Sequence, residues 1–511
     1  MALPRIIVGL CLLIILAVPF FFRPDAVVAP EGADRIIIIS PHNEQIRYEF
    51  GRAFSDWRVR QGRAPVVVDW RRPGGTSEIR RQLESQYRAA VIDGRIGPDG
   101  HARPGVMPYD LMLGGGSYEH NQIKRGVSVT VAGDDGPRRI DIPISIPIEI
   151  SEDRLREIFG ENRIGAEPLW DPELHWVATV LSSFGIAYNR DVLKELGLEE
   201  PRSWRDLADP RYAGWLGLAD PRQSGSVATT YDSILTNHGW DDGWRLLRAM
   251  AANARYFSAS ATRVVIDLAH GEAAAALSID FYGRYEAQAL LRPGQHPDES
   301  RVGYIDPVGA VLVDPDPVSM LRGGPHPELA LEFIDFLLTH EGQAIWQYPA
   351  VGEEAPPGAL GPRRFELRRM PARRDMYPTG DEPNEFFDRF IDKVNPFEIA
   401  SDQPPRGWRP LISPMFATFA IDINHDITRA WRALIATRDS GADAARIQRM
   451  EDLFYAMPEH ELPDGSRIAF TEENFDTIRA DWRNPDREPE LRIQYTRFFR
   501  NNYREIVRLA K

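Results

Sequence analysis

The stretch from Ile36 to Glu78 constrains the fold most, because it sets two short loops at the ends of two buried strands. Ile36 to Ile39 is an unbroken β-branched run, the pattern of a strand covered on both faces in a parallel sheet. The polar Ser40-Pro41-His42-Asn43-Glu44 follows, where Ser40 or Asn43 can cap a helix carrying Ile46, Phe50, Phe54 and Trp57 on one face. Val66 to Val68 supply a second strand, so the segment reads as β-α-β. It leaves through Pro73-Gly74-Gly75-Thr76-Ser77-Glu78, whose glycines let backbone N–H groups approach a ligand while Thr76 or Ser77 caps the next helix. Both loops sit at carboxyl ends of strands, where open α/β sheets bind small molecules. A plain strand-to-helix turn is the alternative that this motif alone leaves standing.

The same arrangement recurs downstream. After a helix continuing from Ile79 to Ala90, Asp110 to Leu113 predicts a third buried strand ending in Gly114-Gly115-Gly116-Ser117. Residues 132 to 150, interrupted by Pro143 and Pro147, predict an irregular connection. Between Trp176 and Arg190 two short strands flank a break at Ser182-Ser183, and a helix from Asp191 stops at Gly197. A strand near Trp215 to Ala219 runs into Ser224-Gly225-Ser226, which opens another helix, and Ala273 to Ile279 runs into Asp280-Phe281-Tyr282. Val302 to Val313 is strand-like, punctuated by Pro307, Pro315 and Pro317. Pro327 to Leu338 is an amphipathic helix with Leu329, Phe333, Phe336 and Leu337 inward. Beyond Val351, prolines and arginine pairs at 363-364, 368-369 and 373-374 predict a surface linker. Residues 384–511 read as a mostly helical extension, with Phe386, Phe387, Phe390 and Ile391 on one face and a last helix near Pro489 to Leu509.

Composition narrows the function. The 511 residues carry 61 Lys and Arg against 75 Asp and Glu, a net charge of -14 that argues against a nucleic-acid surface. The single cysteine, Cys11, excludes an intrachain disulfide and a thiolate metal cluster. Residues 6 to 22 are uncharged and follow Arg5, as in an export signal or a membrane anchor. Val27-Val28-Ala29 suits cleavage while Pro30 opposes it, so residues 1–30 read as either one. There is no Gly-x-Ser-x-Gly elbow, no His-Glu-x-x-His and no Walker loop, and nothing near Ser224-Gly225-Ser226 in sequence supplies a general base. The expectation is a binder rather than an enzyme, without a cofactor of its own.

Taken in chain order, IIIISPHNE (36–44), PGGTSEI (73–79), DLMLGGG (110–116), GIAYNR (185–190), SWRDL (203–207), DPRQSGS (220–226) and LEFIDFLLTHEGQ (331–343) resemble the extracellular solute-binding proteins of ABC importers. The group concerned is the type II periplasmic-binding proteins, which include ferric-iron binders. The resemblance implies an α/β fold with two lobes joined by crossing strands and a ligand held between them by hinge closure. Residues 35–175 with 310–380 would form lobe one and 176–309 lobe two, with 384–511 outside the resemblance. Facing loops would then be Ser40, His42, Asn43, Gly75, Thr76, Ser77, Gly116 and Ser117 from the first lobe, and Ser183, Ser224, Gly225, Ser226, Asp280 and Tyr282 from the second. The implied ligand is a metal chelate, an anion or a small organic acid, amine or phosphonate. Iron(III) or another metal is among the cargoes, with Tyr282 and His42 as candidate ligands. Phe281-Tyr282 stands where iron-binding relatives carry adjacent tyrosines, so one phenolate is lacking. Implied partners are an ABC permease and no nucleic acid, for a monomer working in the periplasm or otherwise outside the cytoplasm, free or anchored by residues 6–22. A membrane-tethered sensor or adaptor on the same fold is the alternative, favoured by the anchor and the helical tail.

Overall fold

In a computed structural model of the protein, which describes residues 32–133, 136–291, 295, 299–380 and 382–511, the isoleucine run forms β1 (Asp34–Ile39). Ile36, Ile38 and Ile39 are fully buried, as stiff side chains in a sheet covered on both faces should be. The expected export signal or anchor lies outside the described residues. Among those residues, no helix is long and apolar enough to cross a membrane.

β1 pairs in parallel with β2 (Val66–Arg71) and with β3 (Leu111–Leu113). Each of the three strands is followed by a helix: α1 (Glu44–Arg60), α2 (Thr76–Ile92) and α3 (Gly116–Arg125). The helical stripe Ile46, Phe50, Phe54 is buried, with the Phe54 and Phe333 rings edge to face at 4.9 Å. The stretch expected to be irregular contains instead a β-hairpin, β4 (Val127–Gly133) with β5 (Gly136–Ile142), then β6 (Ser145–Ile146). Pro143 and Pro147 lie after the residues paired in the hairpin, so they end the ladder rather than interrupt it.

The expected break at Ser182-Ser183 is absent. Val177–Asn189 is one continuous strand, β7, buried along its whole length. Small serines there let neighbouring groups approach closely, which in sequence imitates a break. β8 (Leu216–Ala219), the helices α4 (Gly225–His238) and α5 (Trp240–Asn253), β9 (Ala254–Ser258), α6 (Ala261–Ala269), β10 (Ala275–Ile279), α7 (Asp280–Ala289) and β11 (Val302–Ile305) follow. The prolines at 315 and 317 do not punctuate either. They lie inside β12 (Val313–Leu321), where the register against β7 shifts between Asp316 and Pro317. The sheet runs β2-β1-β3-β12-β7-β10-β8-β9. Residues 177–183 of β7 pair with β12, and residues 184–188 pair with β10, so this one strand belongs to both halves.

The return segment corrects a second expectation. After α8 (Pro327–Leu338) and α9 (His340–Gln347), the arginine-rich stretch is not a surface linker. Arg368, Arg369 and Arg373 are 5%, 1% and 2% exposed, and Met370–Pro371 forms β13 against Leu181 and Val180 of β7. Each buried guanidinium has partners distant in sequence: Arg368 pairs with Asp392 and donates to the Arg284 carbonyl, and Arg373 donates to the Leu338 carbonyl. Phe386, Phe387 and Phe390 flank a short 3-10 turn rather than a helix face, and pack with Tyr348 and Tyr377.

The extension comprises α10 (Arg409–Phe419), α11 (Asn424–Asp439), α12 (Ala444–Tyr455), α13 (Phe475–Trp482) and α14 (Glu488–Leu509). Its aromatic face covers α4 and α5. Phe416 stacks on Tyr231 at 4.1 Å, Trp240 meets Trp408 and Phe470 at 5.3 and 5.1 Å, and Arg248 donates to the carbonyls of Phe454 and Ala456. Ending the chain at Pro404 uncovers Tyr231, Trp240 and Trp244. The expected product aggregates on size-exclusion chromatography, whereas a monodisperse protein with native near-UV dichroism would make the extension dispensable for folding.

Candidate functional site

The loops that follow β1, β2 and β3 meet those that follow β8, β9 and β10 around a cavity of about 320 Å³. The N-terminal turns of six helices line it, through Asn43 (α1), Gly75 and Thr76 (α2), Gly115 and Gly116 (α3), Ser224 to Ser226 (α4), Ser260 to Thr262 (α6) and Phe281 and Tyr282 (α7). Unsatisfied N–H groups and helix dipoles make such turns favourable to negative charge. Local sequence accounts for each turn. Asn43 and Ser224 accept from the backbone N–H of Ile46 and Val227, while Glu78 reaches back to the Gly75 N–H at 3.1 Å. The third turn depends on glycine, since residues 114, 115 and 116 hold φ of 87°, 119° and 79°, the left-handed region.

Behind these turns lies a buried ionic group that the sequence reading did not identify. Asp316 Oδ2 is 2.6 Å from Arg369 Nη2 and 3.0 Å from His42 Nε2, while Asp316 Oδ1 accepts from the Gly115 and Gly116 N–H groups. Arg369 also donates to Ser182 Oγ at 2.5 Å, approaches His42 Nε2 at 3.1 Å, and lies over the rings of Phe281 and Trp346. Burial alone would raise the Asp316 carboxyl, but the adjacent Arg369 cation and the His42 bond outweigh it and hold the group well below the ordinary carboxylate range. Burial lowers His42 despite Asp316. Asp314, two residues before Asp316 on β12, also lines the cavity and accepts from the Ser117 N–H.

Of the loop residues read from sequence, His42, Asn43, Gly75, Thr76, Gly116, Ser224, Gly225, Ser226 and Tyr282 line the cavity. Five do not. Ser40 accepts from the His42 N–H, Ser77 donates to Glu119, and Ser117 faces Asp314 through its backbone. Ser183 turns to Tyr304, because alternate strand residues point to opposite faces and Ser182 takes the cavity side. Asp280 is wholly buried, and burial pushes its carboxyl up to about 7 against the pull of Arg284 and Arg369. His42 Nε2 is already engaged by Asp316 and faced by a guanidinium, whereas its Nδ1 has no partner among the described residues. Among the described residues no group of three or more His, Cys, Asp or Glu could hold a metal ion. Arg72, Asp314, Asp316 and Arg369 were not anticipated. The Asp-x-Asp alternation of 314 and 316 was the available signal, hidden by the intervening prolines.

Residues 154–359 match the family model of the bacterial extracellular solute-binding proteins. The chain resembles that family. The matched segment holds β7 through α9, hence the second set of cavity loops together with Asp314 and Asp316, while the first three loops lie before it. Among curated proteins, a phosphoglycerate transport regulatory protein of Salmonella typhimurium is 30% identical over 240 residues, 46% of this chain and 57% of that protein, so the chain spans little over half of the relative's length. A Haemophilus influenzae protein of undescribed function is 28% identical over 173 residues, 34% of this chain and 47% of its own. Among solved structures, the periplasmic binding protein AfuA of Actinobacillus pleuropneumoniae, with fructose-6-phosphate bound, aligns at a TM-score of 0.48 and 17% identity, covering 75% of this chain and 98% of that one. Iron-bound HitA of Pseudomonas aeruginosa aligns at 0.46 and 16%, covering 72% and 96%.

Two expectations follow. Arg369→Ala strands a buried carboxylate and should cost roughly 3–5 kcal/mol in urea unfolding, and Asp316→Asn added to Arg369→Met should recover part of it. A loss below about 1 kcal/mol would remove the pair from its structural role. Burial first, then their mutual repulsion, raises the Glu167 carboxyl, with Asp314 raised beside it. The folded chain therefore holds protons to higher pH than the unfolded one, and stability falls as pH rises from the ordinary carboxylate range to the raised value. Glu167→Gln removes the Glu167 share of that dependence and the repulsion it exerts on Asp314. In thermal melts it should match the wild type near pH 4 and exceed it at pH 8, and equal midpoints at both would refute the assignment.

Proposed function

We propose that the chain captures a small organic anion, a phosphorylated carboxylic acid in the first instance, between two lobes outside the cytoplasm and presents it to an ABC permease. Residues 35–175 with 310–380 form one lobe, 176–309 the other, and β7 and β12 are the crossing strands about which they close. The observation that carries this reading is the convergence of six helix N-termini on one cavity, with the exposed Arg72 at its rim. Each exposed N-terminus is worth on the order of 0.3–1 kcal/mol to an anion, and more once water is excluded. The similarity to a protein named for phosphoglycerate transport supports the same class. A bare ferric ion fits less well, because the guanidinium of Arg369 stands beside His42 and Tyr282 packs against Phe281, with ring centroids 4.2 Å apart.

The relative's name as a regulatory protein and the helical extension support a second reading, in which the closed form signals to a membrane partner instead of unloading into a permease. The two readings share the ligand and differ in the partner captured.

The ligand class is tested by thermal shift and titration calorimetry on the chain from residue 32 onward, with 3-phosphoglycerate, inorganic phosphate and ferric citrate. Stabilisation of about 2.7 kcal/mol is expected from 3-phosphoglycerate at a hundred times its Kd. If only ferric citrate moves the midpoint, the organic-anion reading is wrong. If 3-phosphoglycerate binds, Tyr282→Phe should weaken it without lowering the stability of the ligand-free protein.

A further inference from the structure

The two sides of the cavity touch at Thr76 of α2 and Gly225 of α4. A Cβ at position 225 would lie 2.7 Å from Thr76 Oγ1, so the contact is as close as a glycine permits. Gln45 Nε2 reaches the Tyr285 hydroxyl at 3.3 Å across the same cleft. Next to this contact stands a side chain from neither lobe. Arg409 is the first residue of α10, in the extension, where a cation opposes the helix dipole and gains nothing from it. Its Nη1 donates to Thr229 Oγ1 at 2.7 Å and its Nη2 to the Gly225 carbonyl at 3.1 Å, both on α4. Its guanidinium carbon sits 3.8 Å from the ring centroid of Tyr118 on α3, which belongs to the other side of the cleft. Its hydrogen-bond and ring partners are a hydroxyl, a carbonyl and an aromatic face on both sides of the cleft, and its charge also pulls down the buried carboxyls of Asp314, Glu167 and Asp232.

We propose that Arg409 is a latch by which the C-terminal extension holds the cleft shut. This rests on the hinge reading given above but not on the identity of the ligand. Two hydrogen bonds fix Arg409 to the first turn of α4, and that turn travels with the extension because Tyr231 and Phe416 are stacked. The cation–π contact to Tyr118 is made only when α3 and α4 come together, so it biases the hinge toward closure before any ligand arrives. Arg409 is thus a positioning residue: it sets the population of the closed form and does not line the cavity.

The test uses the full chain without ligand. Thr76→Cys with Gly225→Cys, in a Cys11→Ser background, places a sulfur where a 225 side chain can bond it only in the closed arrangement. The rate of intramolecular disulfide formation under mild oxidation, followed by gel mobility, then reports the closed population. Adding Arg409→Ala should slow it roughly tenfold, the effect of one partly desolvated cation–π contact. Arg409→Lys should fall between the two. Tyr118→Leu, which leaves the extension untouched, should slow it to the same degree as Arg409→Ala, and combining the two should add nothing. This second variant decides the matter if Arg409→Ala folds poorly. A merely structural arginine would lower the melting temperature while leaving the cross-linking rate of folded protein unchanged. That result, or a parent that never cross-links, overturns the latch. Failure of 3-phosphoglycerate to bind leaves it standing.

Discussion

The ion pair between Asp316 and Arg369 is the constraint on which the rest of the architecture depends. It joins β12, where the strand bulges, to the return segment beside β13, and it does so where β7 passes from one half of the sheet to the other. A charge pair so deeply buried costs less the more of its remaining hydrogen-bonding positions are filled. Here the carboxylate is met by Arg369, His42 and two backbone N–H groups from the triglycine turn, and the guanidinium by Asp316, Ser182 and two aromatic rings, while Arg369 Nε and His42 Nδ1 have no partner among the described residues. The triglycine turn at the cavity, β12 and the return segment are thereby fixed to one another through a single carboxylate.

That fixation has an electrostatic consequence. Asp316 and Arg369 nearly cancel, which leaves the character of the cavity to helix N-termini, and these attract anions without placing a bare cation in the wall. Asp314 is the exception. It is a carboxylate that burial raises, against the pull of the Ser117 hydrogen bonds and of the Arg409 charge. The extension adds a further layer, since it buries the outer aromatic faces of α4 and α5 while sending Arg409 inward to the meeting point of both halves.

Local sequence carried much of this. Strand-loop-helix units at 36–46, 66–79, 110–120 and 216–230 were legible because strand stiffness, capping residues and glycine freedom are properties of neighbouring residues, and eight of the eleven loop residues named in them line the cavity. Misreadings arose where a residue's meaning depends on a distant partner. Ser182-Ser183 resembles a break until β12 is laid beside it, Pro315 and Pro317 resemble punctuation until the bulge absorbs them, and Arg368 and Arg369 resemble a solvated linker until Asp392 and Asp316 are brought to them.

By itself, then, the sequence determined the α/β alternation, the positions of the turns that line the cavity, the net charge that disfavours nucleic acid, and a helical tail. Only the tertiary structure decided which loops share one cavity, which arginines are buried, and that the tail reaches the cleft. The physical reason is range. Caps, turns and periodicity act over a few residues, whereas the pairing of Asp316 with Arg369, and of Arg409 with Tyr118, closes loops of tens to hundreds of residues that no local pattern encodes.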